Sequence, residues 1–96
     1  MIEIVKPVKL HIEKTASDRC FNIYLVEGLS VAEMNYVMNT EDDKDRRDKL
    51  VEVMDKHPND SSYGQNIARA WRCGYGIYSI RHFGGHLIVE VGNSCD

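Results

Sequence analysis

Four side chains of this sequence have the chemistry of a metal-independent ribonuclease: His11, Arg81, His86 and Glu90. Such an enzyme needs a base that accepts the 2′-hydroxyl proton, an acid that protonates the leaving oxygen, and a cation that stabilises the pentacovalent phosphate. Histidine and glutamate can fill the acid and base roles, and arginine can supply the cation. This activity is the second hypothesis for the chain, because charged and polar residues alternate on any solvent-facing strand.

The four histidines, His11, His57, His82 and His86, could also indicate a metal site. His82 and His86 flank the pair Gly84-Gly85, and a two-residue turn there directs their rings to opposite faces. His57 falls on the apolar side of a predicted helix, where a buried histidine with hydrogen-bond partners is the simpler interpretation. No two cysteines have zinc-finger spacing. The sequence therefore predicts no metal site and no other cofactor.

The stretch that positions Arg81, His86 and Glu90 runs from Tyr75 to Val91 and is typical of a β-hairpin. The two glycines at its centre suit a two-residue turn, in which Phe83 pairs with His86. Successive strand residues point to opposite faces. The predicted core face is apolar and consists of Tyr78, Ile80, Leu87, Val89 and Val91. The predicted open face consists of Ile77, Arg81, Phe83, His86, Ile88 and Glu90.

A second hairpin is predicted near the start of the sequence, with strands at residues 2–13 and 20–26, because apolar residues alternate over both segments. Pairing of Glu13 with Cys20 places Ile12 beside Phe21 on the core face. The same pairing places Tyr24 on the open face, together with Lys9, His11 and Val26.

Three helices are predicted between the hairpins. Ser30 and Glu33 form the capping-box pattern of the first, and Ser62 and Gln65 repeat that pattern before the third. Thr40 is the expected N-cap of the second helix. Each helix has one apolar side, so the order ββαααββ predicts an α+β two-layer sandwich. In this fold an antiparallel four-stranded sheet carries the helices on one face, and residues 1–96 form a single domain.

The open sheet face gives the leading hypothesis. If the helices cover only the other side, this face exposes more contiguous apolar surface than a monomer normally shows. Aromatic and arginine side chains are the usual anchors of protein interfaces. We therefore predict a partner-binding surface formed by Tyr24, Ile77, Arg81, Phe83, His86 and Ile88. The predicted partner is a protein, and a homodimer is one form of this association.

Composition limits the remaining classes of function. The chain has 96 residues, 43% of them hydrophobic, and a net charge of −3, which indicates one globular domain. The negative charge argues against nucleic-acid binding, and no apolar run approaches the length of a membrane span. The three cysteines are odd in number and widely spaced. That spacing argues against a disulfide framework and favours a reducing, cytoplasmic location.

The sequence thus favours a small non-enzymatic domain that binds another protein as an inhibitor, adaptor or regulatory subunit. A compact, acidic, single-domain chain is typical of small accessory proteins of phages and mobile elements, such as inhibitors of host defence. This comparison concerns size and composition and does not depend on a motif.

Overall fold

A computed structural model of the chain describes residues 8–59 and 62–92. Two β-hairpins enclose three helices, which confirms the predicted element order. The first hairpin comprises β1 (His11–Ser17) and β2 (Phe21–Glu27), and the second comprises β3 (Ile77–Phe83) and β4 (His86–Gly92). The helices are α1 (Val31–Met38), α2 (Asp43–Asp55) and α3 (Tyr63–Arg72).

The four strands form one antiparallel sheet in the order β1-β2-β4-β3, which confirms the predicted α+β class. The central strands are β2 and β4, and each hairpin contributes one edge strand. The first part of the predicted first strand, residues 2–7, lies outside the described residues. Leu10 forms an isolated parallel bridge with Asn59, and its N–H donates to the Pro58 carbonyl oxygen at 2.7 Å. This bridge ties the entry to β1 to the segment that follows α2.

The closing hairpin has the predicted turn and most of the predicted core. Gly84 and Gly85 have φ angles of 58° and 86°, and Phe83 pairs with His86. Positive φ at both central residues is the geometry of a type I′ turn, which glycine adopts without strain. The predicted core residues that are buried are Ile80, Leu87, Val89 and Val91.

Tyr78 is the exception, and a β-bulge explains it. The β3–β4 register shifts between Ile77 and Ser79. As a result, Tyr78 is 52% exposed and Ile77 is 3% exposed, so the predicted faces of these two residues are wrong. A bulge disrupts the hydrogen-bond ladder locally. The guanidinium group of Arg47 in α2 donates to the carbonyl oxygens of Ile77 and Tyr78 and so stabilises the bulge.

The predicted register of the first hairpin is also wrong. Ile12 pairs with Val26 rather than with Phe21, so its partner is displaced by five residues. The displacement arises because β1 continues to Ser17, through residues that the pattern assigns to a turn. An odd displacement reverses the faces of a strand. Tyr24 and Val26 therefore point into the core, where each is 1% exposed.

Side-chain caps define the starts of the first two helices. Ser30 and Glu33 form the predicted capping box of α1, with hydrogen bonds of 3.1 and 3.0 Å between each side chain and the other's amide. Asp42, rather than Thr40, caps α2. At α3 the side chain of Ser62 makes no capping hydrogen bond, so the second predicted capping box is wrong.

The buried side chains of the helices and of one face of the sheet form a single apolar cluster. We call this the core face; its residues are Ile12, Tyr24, Val26, Ile77, Ile80, Leu87, Val89 and Val91. The Tyr24 ring contacts that of Tyr63 in α3, with 5.3 Å between centroids. The other side of the sheet, the outer face, carries Glu13, Ile23, Leu25, Ser79, Arg81, Phe83, His86, Ile88 and Glu90. None of these residues belongs to the apolar cluster.

His57 connects three segments of the chain. Its side chain is 7% exposed. Nδ1 lies 2.7 Å from the Val8 carbonyl oxygen, and Nε2 lies 2.7 Å from Oε2 of Glu33. Both partners are hydrogen-bond acceptors, so the ring bridges a backbone carbonyl and a carboxylate. The prediction of a buried, hydrogen-bonded histidine is confirmed, and the residue joins the segment before β1 to α1 and to the end of α2.

The cysteines differ from each other in their bonding. Cys20 is disulfide-bonded, whereas Cys73 is free and exposed. The expectation that the cysteines stay reduced is therefore wrong for Cys20. Because disulfides persist mainly in oxidising compartments, cysteine spacing no longer supports a reducing location.

Replacing His57 with phenylalanine should lower the free energy of unfolding by roughly 1–3 kcal/mol, because the Val8 carbonyl and the Glu33 carboxylate lose a donor. Urea unfolding at neutral pH measures the change. His82→Phe is the matched control: His82 is exposed, and a surface substitution should change stability by less than about 0.5 kcal/mol. Equal stability of the two variants would contradict the linking role of His57.

Stability should also depend on the ionisation of Glu33. Burial raises the pKa of this carboxyl group, but hydrogen bonds from Ser30 and His57 outweigh burial and lower the pKa below its ordinary value of 4.5. The unfolded chain therefore takes up the proton at a higher pH than the folded chain. The stabilisation is complete well above pH 4.5 and is lost as the pH falls through the folded-state pKa.

The Glu33→Gln variant tests this pH dependence, because it removes the ionisation. The difference in unfolding free energy between the wild type and this variant should shrink as the pH falls from about 6 to about 3. Urea titrations at several pH values measure the difference. A difference that stays constant over this range would show that Glu33 is not stabilised in its ionised form.

Candidate binding surface

Most of the predicted binding residues meet on the outer face of the sheet. Arg81 and Phe83 of β3 lie beside His86 and Ile88 of β4, in the register that the Gly84-Gly85 turn predicts. Phe83 is 69% exposed, and Ile88 is half-buried. The closing hairpin therefore supplies a phenyl ring, an imidazole ring, one cation and one aliphatic side chain to the same surface.

Two predicted members, Tyr24 and Ile77, do not belong to this surface. They are 1% and 3% exposed and lie on the core face, so their predicted exposure is wrong. The register of the first hairpin directs the Tyr24 side chain to the core face, and the bulge at Tyr78 does the same for Ile77. The partner-binding role of the other four residues stays a prediction.

Two residues that the sequence pattern misses take their place. Ile23 and Leu25 of β2 are half-buried on the outer face, where Ile23 pairs with Glu90 and Leu25 pairs with Ile88. Alternation could not identify them. The set that begins at Phe21 and includes both residues is more hydrophobic than the set that includes Tyr24, so the pattern favours it for the core.

A shallow depression lies beside Arg81 on the outer face. Its volume is about 170 Å³, and its walls are Ile23, Ser79, Arg81, Ile88 and Glu90. Because Arg81 pairs with Ile88, its diagonal neighbours on β4 are His86 and Glu90, at roughly 7–8 Å between Cα atoms. The Phe83 ring lies beside that of His86, with 6.2 Å between centroids. An aliphatic floor is thus bordered by a cation, a carboxylate and two rings.

The four residues of the ribonuclease hypothesis are only partly brought together. His86 and Glu90 flank Arg81, but His11 lies on β1, at the opposite edge of the sheet. Three strand spacings, about 14 Å, separate the two edges. A general acid or base must lie within about 3 Å of the group that it protonates or deprotonates. The fold therefore leaves His11 outside this group, and the ribonuclease hypothesis stays a prediction.

Metal ligation has no cluster of side chains to support it within residues 8–59 and 62–92, where no three His, Cys, Asp or Glu residues converge. His82 pairs with the core-face residue Leu87, whereas His86 pairs with Phe83. The rings of His82 and His86 therefore lie on opposite faces, as the turn geometry predicts. This arrangement prevents the two from chelating one ion.

A larger cleft of about 410 Å³ lies between α2 and α3. Its polar lining residues include Asn59, Gln65, Arg69 and Arg72. Arg72 is already engaged, because its Nη2 donates to Asp55 at 2.6 Å. The amide of Asn59 packs so closely on Gly64 that a Cβ there would lie 2.6 Å from its oxygen. The contact between Arg72 and Asp55 links the ends of α3 and α2, and the outer face is the better candidate for binding.

Hydrogen bonds between helices shift the pKa values of two ionisable groups outside the outer face. The Trp71 indole N–H donates to Asp48 at 2.6 Å and, together with Lys44, lowers the pKa of that carboxyl group. The hydrogen bond that Tyr36 donates to Glu52 raises the pKa of the phenol. These contacts join α2 to α3 and to α1, so the shifts belong to helix packing.

No helix in the described parts of the chain is long and apolar enough to cross a membrane. Comparison of the sequence with models of known protein families, and comparison of the chain with curated proteins and with solved structures, finds no match. The function must therefore be inferred from the geometry of the outer face.

Proposed function

We propose that this chain is a small non-enzymatic protein-binding domain whose contact surface is the outer face of the sheet. The observation that carries the proposal is Phe83, a large apolar ring that is 69% exposed in a regular strand. It stands beside Arg81 and His86 and diagonally across from the half-buried Ile88. Contiguous apolar surface with a polar rim is characteristic of interaction sites.

The residue types of the outer face match those of known interfaces. Aromatic and arginine side chains contribute most of the binding energy, while neighbouring apolar contacts exclude water. Polar residues form the rim of such surfaces, and Glu13 and Ser79, on the two edge strands, have this position. Because the strands hold these side chains in place, little backbone order has to be gained on binding.

A domain of this kind acts as an inhibitor, an adaptor or a regulatory subunit. Its 96 residues and net charge of −3 support a role among the small accessory proteins of phages and mobile elements, which include inhibitors of host defence. The cytoplasmic location stays a prediction, and the disulfide at Cys20 weighs against it.

The double substitution Phe83→Ala and Arg81→Ala should reduce capture of the partner at least about tenfold, because it removes the aromatic and cationic anchors together. The measurement is affinity capture with the tagged chain from the cells in which it naturally occurs. Mass spectrometry then quantifies the proteins that co-purify with each variant.

The matched control is the double substitution Val31→Ala and Arg19→Ala. Val31 is 68% exposed on α1, and Arg19 is exposed in the turn between β1 and β2. Circular dichroism and urea unfolding establish that both double variants are folded. Undiminished capture by the Phe83/Arg81 variant, or an equal loss in the control, would refute the outer face as the contact surface.

A further inference from the structure

The outer face carries one row of side chains that changes from acidic to basic across the whole sheet. Glu13 of β1 pairs with Leu25 of β2, Leu25 pairs with Ile88 of β4, and Ile88 pairs with Arg81 of β3. Directly opposed residues of antiparallel strands point to the same face. The row therefore has a carboxylate at one edge, a guanidinium at the other, and two aliphatic side chains between them.

The two charges at the ends of this row are unpaired within the chain. Glu13 and Arg81 are exposed, and neither makes an ion pair with any residue in the ranges 8–59 and 62–92. Three strand spacings, about 14 Å, prevent them from pairing with each other. A partner that satisfies both must offer a cation over β1 and an anion over β3.

A second copy of the same chain offers these charges in the required places. Consider two outer faces in contact, related by a two-fold axis parallel to the strands. The axis exchanges the two edges, so β1 of each copy lies over β3 of the other. Glu13 then faces Arg81 of the second copy, twice by symmetry, and Leu25 faces Ile88. Such self-complementarity is what an isologous interface requires, and two sheets in contact keep their strands within about 30° of alignment.

A two-fold axis perpendicular to the strands gives the opposite result. It places β1 over β1 and β3 over β3, so Glu13 approaches Glu13 and Arg81 approaches Arg81. Like charges in contact are a strong penalty in protein association. The pattern of charges therefore selects one relative orientation of the two copies.

The neighbouring rows add one further polar contact. Glu27 pairs with His11 at the end of β2, and His86 pairs with Phe83. Continuing the β2–β4 register by one residue places Glu27 beside His86, so Glu27 faces His86 of the second copy in the same orientation. In the row of Ile23 and Glu90, each Glu90 carboxylate faces Ile23 of the second copy, so this row opposes the association by removing water from an unpaired charge.

On these grounds, and given that the outer face is the contact surface of the proposed function, we infer that this face also binds a second copy of this chain when no other partner occupies it. The dimer is weak. Four strands of seven residues give a face of roughly 450 Å², compared with about 800 Å² per partner in a standard stable interface. An interface of this size is expected to be transient.

Sedimentation equilibrium of the full chain from about 10 µM to about 1 mM tests the inference with charge reversals. The single variants Arg81→Glu and Glu13→Arg should each raise the dissociation constant at least about tenfold, because each places like charges together twice. The double variant Glu13→Arg/Arg81→Glu restores opposite charges and should return the constant to within about threefold of the wild type. Arg19→Glu is the control, with the same change in net charge in the exposed turn, and should leave the constant unchanged.

A wild type that is monomeric at about 1 mM, or a double variant that is as weak as the single variants, would overturn the inference. Failure of this inference can be distinguished from failure of the proposed function. A monomeric chain that still captures a different protein, and loses it with Phe83→Ala/Arg81→Ala, would overturn only the second copy as partner. A wild type that neither self-associates nor captures any protein through its outer face would overturn both the inference and the proposed function.

Discussion

The hydrogen-bonded ladder between β2 and β4 is the constraint on which the rest of the structure depends. It joins two hairpins that are far apart in the sequence and sets the orientation of each against the other. Tyr24 pairs with Val89 on the core face, and the next pair, Leu25 with Ile88, lies on the outer face. A slip of one residue would turn the core side chains of one strand to the outer face. The ladder that closes the core therefore also defines the surface proposed to bind.

The bulge in β3 adapts an edge strand to this arrangement. Ile77 and Ile80 are three positions apart, so strict alternation would place them on opposite faces, yet both are buried. The extra residue at Tyr78 shifts the alternation of side chains by one position, so that both isoleucines point into the core. Arg47 donates hydrogen bonds to the carbonyl groups that the bulge displaces. Arg81 keeps its place on the outer face because it follows the bulge. A helical arginine thus stabilises the strand geometry that presents the candidate surface.

What could be predicted from the sequence is what local interactions determine. The Gly84-Gly85 turn, the alternation of β4 and the capping box at Ser30 each depend on residues close in the sequence, and all three are confirmed. The register of the first hairpin could not be predicted, because both faces of β2 are apolar and hydrophobicity favours the wrong one. The bulge at Tyr78 depends on Arg47, about thirty positions earlier in the chain, and no local pattern reports such a contact.

The same division between local and long-range interactions applies to the candidate surface. Arg81, Phe83, His86 and Ile88 could be placed together because they share one hairpin, whereas Ile23 and Leu25 join them only through the ladder between hairpins. Because both faces of β2 are apolar, the polar group on the Tyr24 ring favours solvent for this residue. Its burial against Tyr63 shows that an aromatic residue with a hydroxyl group can belong to the core.

The division of the outer face into an apolar centre and charged edges has a physical consequence for self-association. The chain has a net charge of −3, so two copies repel each other at long range. The centre formed by Leu25 and Ile88 supplies attraction that depends little on relative orientation. The charges of Glu13 and Arg81 act at the rim, where solvent weakens them and where they select between orientations more than they add affinity. In the proposed dimer, attraction and orientation therefore come from different residues.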